Sequence, residues 1–273
     1  MALHNPQEIA QIAIEAGVKK TSLPLKNMLL LGFLGGAYIS AGYLLDIRVT
    51  ASLPEAWGTF GSFLGAAVFP IGLILILIAG GELLTGNMMA VPMALFSKRV
   101  TLSRLAHNWF WITLSNFVGA LFVAYFFGHL AELTSSGVYL DKTVHIAQSK
   151  IDTNFWPALF SAIGCNWLVG LAVWMSFGAK DIGGKILAIW FPIMAFVAIG
   201  FQHVVANMFV IPAAIFEGYF TWMDYLKNFV PVFIGNAIGG GVLVALIYWN
   251  SYTTKDAPDS HETHYTGQST KDM

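Results

Sequence analysis

The residue best suited to chemistry is His203, in Gly200-Phe201-Gln202-His203-Val204-Val205-Ala206-Asn207-Met208-Phe209-Val210-Ile211-Pro212. An imidazole changes charge near neutrality and can donate or accept a hydrogen bond. Gln202 and Asn207 add two amides to the same stretch, which lies inside an apolar segment from Ile186 to Phe216. Polar groups at such depth are costly in lipid, so the stretch reads as a functional site facing a cavity. A second stretch, Gly80-Gly81-Glu82-Leu83-Leu84-Thr85-Gly86-Asn87, brings one carboxylate and one hydroxyl into another apolar segment. Together these groups offer proton handling and hydrogen bonding. Nucleophilic and metal chemistry are poorly served: there is no His-Glu-x-x-His, no Gly-x-Ser-x-Gly and no ligand cluster, and Cys165 is the single cysteine. An intramembrane enzyme is the remoter alternative, and the missing P-loop excludes a nucleotide-driven pump. No cofactor or metal is expected, and His261 and His264 in the polar tail are not read as a metal site.

The elements that position these groups must be membrane helices. The chain is 56% hydrophobic and 11% charged, with a mean hydropathy of +0.66, against about 25% charged in a soluble domain. Several near-uncharged runs are long enough to span lipid, which places the chain among polytopic α-helical membrane proteins. A net charge of -1 leaves no basic face for nucleic acid. The charges at Glu8, Glu15, Lys19 and Lys20 speak against a cleavable signal peptide.

Residues 4–18 read as a surface helix capped by Asn5 with Pro6 in its first turn, ending at Gly17. Residues 1–24 thus form a cytoplasmic surface helix and its linker. Spans are expected at Asn27–Leu45, Trp109–Leu130, Phe155–Phe177 and Phe229–Tyr252. The segments Thr59–Phe96 and Ile186–Phe216 are too long for one upright span and each carries a break, over 80–87 and 200–207. Broken backbone at depth survives only inside protein or along water. Glycine and small residues in the first span suit close helix packing.

A shift of 120 residues superposes the two breaks. Gly80, Asn87, Met88 and Pro92 fall on Gly200, Asn207, Met208 and Pro212, and Asn116 and Gly119 fall on Asn236 and Gly239. Residues 25–133 and 154–252 are therefore read as three-span repeats joined by an extracytoplasmic connection, 134–153, with 253–273 a disordered tail. An odd number of spans inverts the second copy. Broken helices at matching places mark a transport site near the midplane. Asn116 and Asn236 repeat each other and are expected to brace the fold, as are Glu82, Gln202, Asn87 and Asn207. His203, which has Leu83 opposite it, and Thr85, which has Val205, depart from the symmetry. Lys and Arg fall ten on one side and four on the other, which puts both termini in the cytoplasm.

The motifs Gly81-Glu82-Leu83-Leu84-Thr85, Cys165-Asn166-Trp167-Leu168-Val169, Gly200–Phe209 and Ile234-Gly235-Asn236-Ala237-Ile238-Gly239-Gly240-Gly241 resemble those of the formate/nitrite transporter family, from Gln7 to about Tyr252. The resemblance implies an all-α, aquaporin-like protomer of six transmembrane helices, an inverted repeat of three plus three with broken second and fifth helices. It implies a homopentamer in the lipid of the cell membrane, each protomer holding a pore for a small monovalent anion. Formate is the favoured substrate, with nitrite, hydrosulfide or a short carboxylate as alternatives. By the same resemblance His203, Thr85 and Asn166 occupy the pore centre, and Phe69, Phe196 and Val169 the outer constriction. Leu73 and Leu84 take the inner constriction, and Lys150 stands in the outer vestibule. The chain departs from the familiar bacterial formate channels at Gln202, where they carry Glu, and at Leu84, where Phe is common. A water or glycerol pore is disfavoured, because Asn87 and Asn207 are followed by methionine rather than by Pro-Ala.

A bare anion should not cross apolar rings, because an unpaired charge out of water is too costly. The expected mechanism is protonation near His203, passage as the neutral acid and release beyond, which amounts to anion–proton symport. The alternative keeps His203 charged as an anion filter.

Overall fold

The structure, a computed structural model, describes residues 3–253. Among these residues the regular elements are helical, and one isolated bridge joins Leu3 to Ala179. Five helices make the first half: α1 (Pro6–Thr21), α2 (Leu25–Thr50), α3 (Thr59–Gly80), α4 (Leu84–Phe96) and α5 (Leu102–Leu130). Five make the second: α6 (Gly137–Ile151), α7 (Phe155–Gly178), α8 (Ile182–Ile199), α9 (Val204–Phe216) and α10 (Trp222–Thr253). Six of them (α2, α3, α5, α7, α8 and α10) are long and apolar enough to cross a membrane, and α4 and α9 are shorter apolar helices. The tail and its two histidines lie outside the described residues.

Local chemistry starts the helices where the sequence suggests. Asn5 Oδ1 accepts from the Glu8 N–H at 2.8 Å and the Glu8 carboxylate accepts from the Asn5 N–H at 2.9 Å, a complete capping box. Gly17 does not end α1, which continues to Thr21. Gly17 is instead the point where α1 lies on α4, because a Cβ there would strike the Ala90 carbonyl. In α2 the small residues do what their pattern implies, with Gly32, Gly35 and Gly36 meeting Ser115, Asn116 and the Glu82 backbone.

Both breaks begin at a glycine in the left-handed region, Gly80 with φ 109° and Gly200 with φ 85°, where any side chain would be strained. Both are shorter than expected. Helix resumes at Leu84 and at Val204, so Thr85, Gly86 and Asn87, like Val205, Ala206 and Asn207, belong to a first helical turn. An asparagine from the following span makes this possible. Leu84 N–H donates to Asn116 Oδ1 and Val204 N–H to Asn236 Oδ1, each at 2.9 Å. With a donor that would otherwise be orphaned satisfied at once, the chain has no need to unwind further. Residues 84–94 and 204–214 are buried throughout, so the half-helices that follow the breaks lie inside protein.

The repeat also reaches further than three spans. The connection 134–153 contains a helix, α6, which pairs with α1. Asn108 Nδ2 donates to the Lys20 carbonyl at 3.1 Å, and its mate Asn228 Nδ2 to the Lys150 carbonyl at 2.8 Å. Here the offset is 130 residues, ten more than at the breaks. The ten residues are absorbed between α2 and α4, through a longer linker and a longer α3. A search at one fixed shift therefore misses α1 and α6.

Candidate functional site

His203 is the last residue before α9 and caps it. The Ala206 N–H donates to His203 Nδ1 at 3.0 Å. That bond needs an unprotonated Nδ1, so the neutral ring carries its hydrogen on Nε2. Nε2 lies 3.0 Å from Thr85 Oγ1, in the first turn of α4. The two half-helices thus meet through one imidazole and one hydroxyl, with the ring nitrogen donating. Phe196 of α8 stacks on the imidazole at 5.6 Å, and Phe69 of α3 meets Phe196 edge-on at 5.8 Å. Tyr43 of α2 packs edge-on against Phe69 in turn.

Two cavities approach this cluster from opposite faces and share no lining residue. One, about 300 Å³, opens on the α1 face and is bordered by Lys20, Leu73, Leu83, Glu82 and Gly86. The other, about 50 Å³, lies on the α6 face and is bordered by Tyr43, Phe69, Lys150, Phe196, His203 and Asn207. His203 and Thr85 are buried between them. Two hydrogen-bonding groups, His203 and Thr85, thus stand between two separate cavities, flanked by Phe69 and Phe196 on the α6 side and by Leu83 on the α1 side.

His203 and Thr85 meet, Phe69 and Phe196 close the α6-side cavity, and Lys150 borders that cavity. Leu73 borders the α1-side cavity, but Leu84 does not. Leu84 is fully buried and its neighbour Leu83 borders that cavity instead, because Leu83 is the last extended residue, equivalent to His203, while Leu84 is already helical. Val169 is buried and borders neither cavity. Asn166 is also fully buried; its Nδ2 donates to the carbonyls of Asn236, at 2.7 Å, and of Thr85, at 3.2 Å. It holds the residue that faces His203 rather than lining a chamber.

The supporting amides form two matching sets. Asn87 Nδ2 donates to Glu82 and Asn108, each at 2.9 Å, and Asn207 Nδ2 to Gln202 and Asn228, each at 2.8 Å. Lys20 is the partner that a 120-residue shift misses; its ammonium pairs with Glu82 at 2.9 Å. Lys150, its mate, donates to the Gly200 carbonyl at 3.3 Å. Burial holds the Lys150 ammonium below the ordinary lysine range. Among the described residues no group of three or more acidic, His or Cys side chains is placed to hold a metal ion.

A family model described as formate/nitrite transporter matches residues 7–250. The chain belongs to the formate/nitrite transporter family. It is 64% identical to the uncharacterized transporter YrhG of Bacillus subtilis, over 94% of this chain and 96% of that one. It is 60% identical to the formate channel BtFdhC of Bacillus thuringiensis, over 92% and 97%. The formate channel FocA of Escherichia coli is 34% identical, over 90% and 94%. Among solved structures, an FNT family ion channel superposes with a TM-score of 0.83 at 26% identity, covering 89% of this chain and 98% of that one. A pentameric formate channel with formate bound superposes with a TM-score of 0.71 at 27% identity, covering 84% and 98%. The protein is thus a multi-pass membrane protein of a formate/nitrite transporter family, with that family's helical fold.

Proposed function

We propose that this protein carries formate together with a proton across the cell membrane. In this reading the termini and the α1 face are cytoplasmic, the α6 face is extracytoplasmic, and the unit is a homopentamer. Formate is preferred because a formate channel 60% identical to this chain aligns over 97% of its own length. The pentamer follows the solved neighbour named as a pentameric formate channel.

The observation that carries the mechanism is the cap that His203 makes on α9. A permanently charged imidazole would put a hydrogen on Nδ1, against the Ala206 N–H, and forfeit that bond. The geometry therefore favours a neutral His203 over a charged anion filter. It also limits the relay role, since a neutral ring with Nδ1 occupied has no proton to spare for formate. The proton comes from vestibule water instead. Formate enters beside Lys150 and sheds water as it nears Phe69 and Phe196. Loss of water disfavours the charged form and raises its basicity. It takes one proton, and formic acid passes the ring pair as a neutral molecule. The Nε2–H of His203 and the hydroxyl of Thr85 replace the lost water hydrogen bonds. The acid releases its proton in the larger chamber. Nitrite and hydrosulfide have weakly acidic conjugate acids and fit the same chemistry.

Proteoliposome flux measured with internal pH recording tests this. Formate, nitrite and hydrosulfide should enter with one proton each. Nitrate, whose conjugate acid is too strong to form, should not enter. His203→Ala should slow formate at least about tenfold, while the residual flux still brings one proton per formate. Residual flux without protons would overturn the water-proton route in favour of a histidine relay.

A further inference from the structure

We propose that Gln202 makes the two faces bind the anion unequally, by leaving the Lys150 ammonium beside the α6-side chamber without a carboxylate in contact while Glu82 neutralises its mirror lysine, Lys20, beside the other. This rests on the anion passage proposed above and adds a side preference to it.

The two settings are the same construction with one functional group changed. Each lysine closes its helix, α1 or α6, and each gives its backbone carbonyl to an asparagine amide, Asn108 or Asn228. Lys20 faces the residue two positions into the first break, and Gln202 holds the matching place in the second; each of these two residues is itself held by an asparagine, Asn87 or Asn207. On the α1 side it is a carboxylate, and both of its oxygens accept from Lys20, at 2.9 and 3.0 Å. On the α6 side it is an amide. Gln202 spends its oxygen on Asn207 and its nitrogen on Thr153, and Lys150 turns to a backbone carbonyl. Among the described residues no carboxylate pairs with Lys150. The buried acid on that side, Asp46, accepts from the Thr50 hydroxyl and acts on Lys150 through space, without a contact pair.

A paired ammonium attracts a second anion weakly. An unpaired one in a small chamber with apolar walls attracts it strongly, because little water or salt screens it. Lys19 also borders the α1-side chamber, but it is exposed, so its charge is screened. Gln202 acts through Lys150 and is a positioning residue rather than a contact for the reacting atoms.

Thermodynamics gives this asymmetry a definite signature. A passive route cannot accumulate solute, so the ratio of maximal rate to half-saturation must be the same in both directions at equal pH and zero potential. Tighter binding on the α6 face therefore lowers half-saturation and maximal rate from that face by the same factor.

The test is uptake of radiolabelled formate into empty membrane vesicles with either face outward, at equal pH and with the potential clamped to zero. Orientation is assigned with an impermeant maleimide on a Val138→Cys reporter, exposed on α6. Wild type should show a half-saturation at least about threefold lower from the α6 face, with maximal rate reduced in parallel. Gln202→Glu should raise it to the value of the other face. The bed for that carboxylate already exists, since Gln202 accepts the Asn207 amide much as Glu82 accepts that of Asn87. Glu82→Gln should lower half-saturation from the α1 face. Equal half-saturations in wild type, or a face difference that persists in Gln202→Glu, would overturn the proposal. The wild-type comparison and Glu82→Gln keep it testable if Gln202→Glu does not fold. Absence of formate flux from either face would overturn the transport reading itself.

Discussion

The two breaks differ in what they repeat and what they do not. In both, a left-handed glycine stops one helix, an asparagine from a later span catches the first N–H of the next, and a second asparagine ties the loop to its neighbours. These shared parts are scaffold. The parts that differ sit at or beside the place where the two breaks meet: His203 against Leu83, Thr85 against Val205, and Gln202 against Glu82. Asn166 is a fourth, since at an offset of 130 its place in the first half is held by Gly36. Symmetry shapes the backbone, and the departures from symmetry are the side chains to which the proposed passage assigns chemistry.

That division predicts different mutant behaviour in the two classes. The scaffold should show the largest effects, and show them twice. Asn116→Ala and Asn236→Ala each strip partners from a buried N–H and two buried carbonyls. Each should cost roughly 2–4 kcal/mol of stability, measured as loss of folded protein on heating in detergent. If one were well tolerated, the claim of matched roles would fail. Path residues should be unequal. His203→Ala is expected to slow formate about tenfold, whereas Leu83→Ala widens the α1-side constriction and should raise flux of a larger anion such as lactate. Thr85→Val removes the buried bond to His203, which should slow formate about fivefold and cost about 1 kcal/mol of stability, less than either asparagine variant. Val205→Thr, at the mirror position, should leave the rate within about twofold.

The smallest effect concerns pH. Burial lowers the Lys150 pKa, so its charge is lost as pH rises, and sooner than for an ordinary lysine. Formate stays ionised throughout that range. Half-saturation from the α6 face should therefore worsen on the alkaline side, and Lys150→Met should abolish that limb while keeping flux measurable. An alkaline limb unchanged in Lys150→Met would assign the titration elsewhere.

Much of this was legible in sequence because the membrane enforces it. Hydrophobic length marks the spans, over-long segments mark the breaks, and the recurrence of Gly80 and Asn87 at Gly200 and Asn207 marks the inversion. The ends of the breaks were not legible. Whether Thr85 is loop or helix depends on Asn116, which sits more than thirty residues away in sequence and supplies the bond that restarts the helix. Leu84 and Leu83 differ by one position and both are leucine, so only the direction of each side chain separates the packed residue from the one that borders the chamber. The α6 helix was hidden by its polar composition and by the change of offset from 120 to 130.

By itself the sequence determined the class of protein, the spans, the two breaks and the residues that break symmetry, because each follows from keeping backbone and charge out of lipid. Tertiary structure decided the partnerships. It set His203 Nδ1 on the Ala206 N–H, Lys20 on Glu82, and Lys150 on a carbonyl instead of a carboxylate. Those pairings join residues whose separation in the chain carries no signal, and they exist only once the two inverted halves have packed against each other.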